Sequence, residues 1–128
     1  MIDFTWFEFR VLVRDIDPQK HMANHVYVAY LSEARARMLR RLDPEYRILL
    51  PSVVADVHLA YRSSLEVGEK FRVGVRPTKV GRTSVAWAYR FEARERLVAE
   101  GESVEVLIDP ATRRPREVPP EGRRLLGA

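Results

Sequence analysis

The feature that most constrains this chain is a single helical repeat standing among strand repeats. Tyr27, Leu31, Ala34, Met38 and Leu42 recur at helical spacing and form one apolar face, which Tyr30 widens. Glu33, Arg35, Arg37, Arg40 and Arg41 lie mostly off that face. The spacing predicts a helix over 25–42, with Asn24 as N-cap and Asp43-Pro44 as its end. Almost everything else has period two. Phe7, Phe9, Val11 and Val13 alternate with polar neighbours, which predicts a strand over 4–14 that Pro18 cannot continue. Later strands are expected around Val53–Tyr61, Phe71–Arg76, Val85–Glu92 and Ser103–Ile108. Gly68-Glu69, Gly81-Arg82 and Arg94-Glu95-Arg96 are the turn signals between them, and short connections imply antiparallel neighbours. A lone amphipathic helix must bury its stripe on the sheet, so the class is α+β: a five-stranded antiparallel sheet around one helix. The opposite sheet face also looks semi-apolar (Ala60, Ala86, Ala88, Leu107), and such a face suits pairing with a second copy.

A chain of 128 residues is one domain, large enough for a core without staples. There is no cysteine, which removes disulfides, thiolate metal sites and a cysteine nucleophile, and fits a cytoplasmic setting. No apolar run is long enough for a membrane span, and "MIDFTWFEFR" lacks the pattern of a signal peptide. Net charge is +4, but +3 of it belongs to residues 110–128, which hold five arginines and two glutamates. The nearly neutral body argues against a nucleic-acid partner. The last segment, with four prolines, is expected to be a surface tail, with Leu125 and Leu126 as its docking points.

Chemistry concentrates in "RDIDPQKHMANHVYVAY", residues 14–30, between the first strand and the helix. Asp17 by itself reads as a turn cap before Pro18. Asp17, His21 and His25 stand four apart, a spacing that binds metals on a helix. Pro18 interrupts the series and the helix starts only near Asn24, so the three share no face and no metal is expected.

The order of elements, with this stretch after the first strand, resembles the hotdog-fold acyl-CoA thioesterases of the 4-hydroxybenzoyl-CoA thioesterase type. Their pattern runs roughly D-x-D-x-x-G-H-x-N-N-x-x-Y-x-x-Y-x-E-x-A-R, and Asp15, Asp17, His21, Asn24, Tyr27, Glu33 and Arg35 fall on it. "VADVHLAYRSSLEVGEKFRV", "VGRTSVAWAYRF" and "GESVEVLIDPATRRPREVP" extend the likeness over nearly the whole chain. Two positions depart from the pattern. Lys20 replaces the usual glycine and Ala23 the first asparagine. Lysine takes a positive φ less cheaply than glycine, so a differently shaped loop is expected there.

The resemblance implies one hotdog domain over 1–128 that hydrolyses an acyl-CoA or acyl carrier protein thioester without a cofactor. It implies a homodimer or homotetramer, with pockets between subunits. Asp17 becomes the carboxylate, either as nucleophile or as base for water, and both roles stay open. The helix N-terminus around Asn24 and His25 offers N–H groups to the oxyanion. Asp15 is read as structural or electrostatic. His21 and Tyr27 are placed beside the substrate. Coenzyme A needs cations, for which Arg62 and Arg82 are the candidates, with Arg113 and Arg114 behind them. The alternative is a hotdog module that binds acyl-CoA without turnover.

Overall fold

The computed structural model describes residues 1–128. Five strands form one antiparallel sheet: β1 (Thr5–Arg10), β2 (Ser52–Tyr61), β3 (Lys70–Val80), β4 (Ser84–Ala93) and β5 (Arg96–Leu107). Their spatial order is β1-β3-β4-β5-β2. One long helix, α1 (Asn24–Leu42), lies across the inner face, and a short α2 (Pro120–Leu125) follows the sheet. This is the hotdog arrangement. No helix is long and apolar enough to cross a membrane.

The helical stripe does what its spacing requires. Tyr27, Leu31, Ala34 and Met38 are all buried, facing Val73, Val75, Trp87, Tyr89 and Phe91 in one core cluster. The helix ends where Asp43 stops being helical. Its buried carboxylate accepts the backbone N–H groups of Arg47, Ile48 and Leu49 at 2.9–3.1 Å. That carboxylate folds residues 43–49 beneath the sheet, where Ile48 and Leu49 complete the core.

Several expectations need correction. The first strand stops at Arg10, because residues 13–15 form a 3-10 turn in which the Asp15 carboxylate accepts the Leu12 N–H at 2.9 Å. The N-cap of α1 is Ala23, not Asn24, and no side chain caps the helix. Gly68-Glu69 does not close a hairpin: β2 pairs with β5, so residues 62–69 carry the chain from one sheet edge back across to β3. Leu107 belongs to the core, not the outer face. The tail is not a loose cover. Val118, Gly122 and Leu126 are buried, Arg116 donates to the Ile48 and Leu50 carbonyls, and Leu126 accepts the Ile2 N–H.

The phase of β5 exposes a buried polar network. Ser103, Glu105 and Leu107 face the helix, while Val104 and Val106 face outward. Arg35, reaching down from α1, pairs with Glu105 at 3.0 Å and donates to the Tyr89 hydroxyl at 3.3 Å. Ser103 Oγ lies 2.6 Å from that hydroxyl and bonds the Glu105 carboxylate. Burial pushes Glu105 up to about 6, against the opposing pull of Arg35, and burial pushes Tyr89 up to about 12. Because the folded Glu105 holds its proton to higher pH than the unfolded chain, its neutral form favours folding. That contribution is complete below pH 4.5 and is lost as pH rises through about 6. The predicted loss is on the order of 2 kcal/mol. Denaturant titrations of wild type and Glu105→Gln across this range should differ in slope, with the decline missing from the variant; parallel curves would refute it.

Candidate active site

The corner between β1 and α1 is built mainly from backbone bonds. Val11 donates to the Glu69 carbonyl at 3.0 Å and Gly68 to the Val11 carbonyl at 2.8 Å, so the crossover segment is laced to the chain leaving β1. Ile16 and Met22 bridge, Met22 donates to the Leu65 carbonyl at 2.8 Å, and Ala23 to the Asp15 carbonyl at 2.9 Å. These bonds set the start of α1 against the turn that carries Asp15 and Asp17.

Asp17 sits at the apex of that turn. Its N–H donates to the His21 carbonyl and its carbonyl accepts from Lys20, both at 2.9 Å. Its Oδ1 accepts the N–H groups of Gln19 (2.8 Å) and His21 (3.3 Å). The protein gives Oδ2 no donor. One oxygen therefore caps the turn while the other is left for an outside partner. Lys20 does not reshape this loop as expected. It adopts φ 66, so the turn a glycine would make is kept at a conformational cost.

Asp15 is buried beneath. Besides the Leu12 N–H, its carboxylate accepts the Tyr30 hydroxyl at 2.5 Å. Burial and the bond to Asp15 push Tyr30 up to about 12, so the phenol remains the donor. The structural reading of Asp15 fits these contacts.

The other expected site residues separate into three groups. Asn24 and His25, exposed on the first turn of α1, share the corner with Asp17 and His21. Their backbone N–H groups carry no intramolecular partner, as first-turn groups of an uncapped helix. Main-chain pairing with Glu66 fixes His21. Tyr27 lies one turn deeper, buried, with its ring 5.1 Å from Tyr61 and 5.5 Å from Phe91. Within one chain it is a wall of the core beneath the corner. Arg62 stands at the correct end of the sheet but turns to the outer face, where it pairs with Glu100 at 3.2 Å. Arg82 stands at the β3–β4 turn, one whole strand length from Asp17, paired with Glu117 at 3.2 Å. A single chain does not bring Arg82 to the corner.

Sequence reasoning misses the clasp that closes the corner. Arg96 donates to Glu69 at 2.9 Å, to Ser63 Oγ at 3.1 Å and to the Ser64 carbonyl at 2.7 Å. The bond from Arg96 holds Glu69 below the usual carboxylate range. This pairing joins the β2–β3 crossover to the β4–β5 turn. No local pattern announces it, because in sequence Arg96 is one more charge in a charged turn. Tyr61 likewise reads in sequence only as a strand residue. Its hydroxyl donates to the Asn24 carbonyl at 3.0 Å, tying the end of β2 to the start of α1. No cluster of three or more metal-ligating side chains is present.

The geometry offers a half-free carboxylate beside free helix N–H groups, above a mixed apolar and aromatic wall. The family model of the thioesterase-like superfamily matches residues 11–126. A thioesterase from Thermus thermophilus, solved with coenzyme A and zinc, is similar at 29% identity and TM-score 0.87, covering 94% of this chain and 90% of that one. A Staphylococcus aureus protein solved in complex with CoA is similar at 20% identity and TM-score 0.88, covering 99% and 84%. A 1,4-dihydroxy-2-naphthoyl-CoA thioesterase from Synechocystis shares 14% identity at TM-score 0.85, covering 97% and 96%. The last two show the likeness of fold alone. A search of curated proteins found no match.

If Lys20 holds its left-handed conformation at a cost, Lys20→Gly should raise stability by up to about 1 kcal/mol. Urea unfolding checks this, and a destabilised variant would show that the lysine side chain supports the loop.

Proposed function

This chain belongs to the thioesterase-like superfamily, and from that membership we propose that it hydrolyses the thioester of an acyl-CoA at the corner formed by Asp17 and the start of α1. The chain is a thioester hydrolase. The observation that carries the assignment of the site is the state of Asp17: Oδ1 is fixed by two backbone N–H groups, while Oδ2 faces no protein donor.

In the proposed reaction the thioester carbonyl lies between Asp17 Oδ2 and the free N–H groups of Asn24 and His25. Those groups point partial positive charge at the oxygen that becomes an oxyanion. Asp17 attacks the carbonyl carbon to give a mixed anhydride, which water then cleaves, or it takes a proton from the water that attacks. In either route the CoA thiolate leaves and is protonated, and the carboxylic acid is released. His21 holds the turn through its backbone, and Tyr27 backs the acyl site from the core.

Supply of cations for the CoA phosphates is supported unequally. Arg62 lies at the same end of the sheet, and so do Lys70 and Arg94, which border an open cleft of about 530 Å³ beside β1 and β3. Arg82 contributes only if a second copy places it there.

A second copy is also supported by β2. Its inner-face residues Val54 and Val57 are half exposed beyond the reach of α1, and Tyr61 is half exposed beside the helix start, on an edge strand with unpaired backbone groups. We read the working unit as a homodimer joined at this edge.

Free-thiol release from an acyl-CoA panel tests the hydrolase reading. Asp17→Asn should lower kcat by at least about 100-fold, a loss typical of removing one group aimed at the reacting centre, while leaving the fold intact by circular dichroism. Retained activity would remove Asp17 from the mechanism. Acyl-CoA binding with no turnover in wild type would favour the binding-module alternative. Val57→Asp should halve the sedimenting mass if the β2 edge joins two copies, and an unchanged mass would exclude that edge.

A further inference from the structure

The first turn of α1 lacks a side-chain cap, because Ala23 at the N-cap offers no oxygen beyond its backbone. Its anchorage comes from outside the helix. On one side the Ala23 N–H donates to the Asp15 carbonyl at 2.9 Å. On the other the Tyr61 hydroxyl donates to the Asn24 carbonyl at 3.0 Å. The sheet delivers that hydroxyl. Tyr61 ends β2, and the next two N–H groups, of Arg62 and Ser63, both donate to the Val98 carbonyl, at 2.8 and 3.1 Å. The Tyr61 ring meets Tyr27 edge-on, at 5.1 Å and 81°, and Tyr27 is itself buried beside Phe91. Backbone and ring together fix where the phenol points, although the residue is half exposed.

The choice of carbonyl has a chemical consequence. The Asn24 C=O and the His25 N–H belong to one planar amide, and in its trans form the two bonds point in opposite directions. A hydrogen bond donated to the oxygen draws electrons through the amide and makes the N–H a better donor, as in any chain of hydrogen bonds. A carbonyl oxygen has two lone pairs, so the Tyr61 bond adds to the helical one. The His25 N–H has no partner within the chain. We infer that Tyr61 is a positioning residue for thioester hydrolysis: its hydroxyl orients and polarises the Asn24–His25 amide, whose N–H serves the oxyanion. The inference rests on the proposed hydrolase reading and names the group that tunes its oxyanion donor. The helix dipole favours every first-turn N–H alike, whereas the Tyr61 bond singles out that of His25. Tyr61 acts through the peptide and transfers no proton itself.

One oxyanion donor is worth about 10²–10³ in rate, and one hydrogen bond strengthens its neighbour by about 10–30%. Applied to the logarithm of the rate, these figures predict that Tyr61→Phe lowers kcat about two- to eightfold with KM nearly unchanged. The direct test is infrared spectroscopy of the acyl-CoA that the panel shows to be hydrolysed fastest, isotopically labelled at its thioester carbonyl. It is bound to the full chain carrying Asp17→Asn, so that it is not turned over. The carbonyl band should lie at lower frequency than in free substrate, the mark of polarisation, and adding Tyr61→Phe should return part of that shift. A ring-fluorinated tyrosine at position 61 is a stronger donor at a pH where it keeps its proton. It should lower the band further and, with Asp17 in place, raise kcat. Opposite signs from the two replacements, at unchanged sedimenting mass, are a result that a merely structural tyrosine would not give. If Tyr61→Phe loosens the assembly, the fluorinated protein decides alone. An equal band and equal kcat in Tyr61→Phe would overturn the inference and leave the hydrolase reading standing. Loss of kcat with no movement of the band, or the same loss from both replacements, would make Tyr61 a structural latch and overturn it as well. A band in Asp17→Asn unmoved from free substrate would remove the oxyanion site, and this inference with it.

Discussion

One helix must cover a five-stranded sheet, and it is too narrow to do so. An α-helix with its side chains is about 10–12 Å across, while five strands at about 4.8 Å spacing are nearly twice as wide. The stripe from Tyr27 to Met38 settles over β3 and β4, whose inner residues are almost fully buried. What remains is β2, with Val54, Val57 and Tyr61 half exposed on the helix side. The proposed chemistry sits at the end of that uncovered strip, where Tyr61 meets the start of α1. A pocket bounded on one side by β2 is open in a single chain, so a wall from elsewhere is needed to exclude water from the reacting thioester.

The same shortage explains the polar network under the helix. Arg35 lies toward the β2 side of α1, where its partner Glu105 pairs in register with the half-exposed Val54. A fully apolar helix there would add to an already exposed apolar strip. Burying an ion pair costs desolvation, which shows in the raised Glu105. Satisfaction by Ser103 and Tyr89 keeps that cost tolerable, and it fixes how the helix is rotated on the sheet.

Much of this is legible in the sequence because period carries face, and face carries architecture. The span of the helix and the five strands follow from spacing, whereas Asp17, which by itself reads as a turn cap, is marked out only by the resemblance to the thioesterases. The errors have physical causes. Strand order escapes a sequence reading because Gly68-Glu69 looks like a hairpin turn, yet β2 finds its partner in β5, a pairing between distant segments. The phase of β5 is misleading because Ser103 and Glu105 are polar, and period alone cannot know that Arg35 waits for them. Asn24 looks like an N-cap by residue type, but the backbone bond from Ala23 to Asp15 starts the helix one residue earlier. Arg82 attracts notice by its place after a glycine turn. Which end of the sheet that turn occupies is decided by strand direction, and direction puts it far from Asp17.

Asp17 shows why the two readings of the corner are not rivals. A carboxylate has two oxygens, and a turn cap needs only one. With Oδ1 held by Gln19 and His21, the side chain is prevented from rotating, and Oδ2 is aimed rather than merely exposed. Capping one oxygen therefore sharpens the direction of the other. For the proposed chemistry that orientation is what counts, because positioning accounts for several kcal/mol of a barrier, about 7–11 in favourable cases. Lys20 fits the same argument. The turn keeps φ 66 at a residue that resists it, so the geometry around Asp17 is held by its backbone bonds and not by the ease of residue 20 in that conformation.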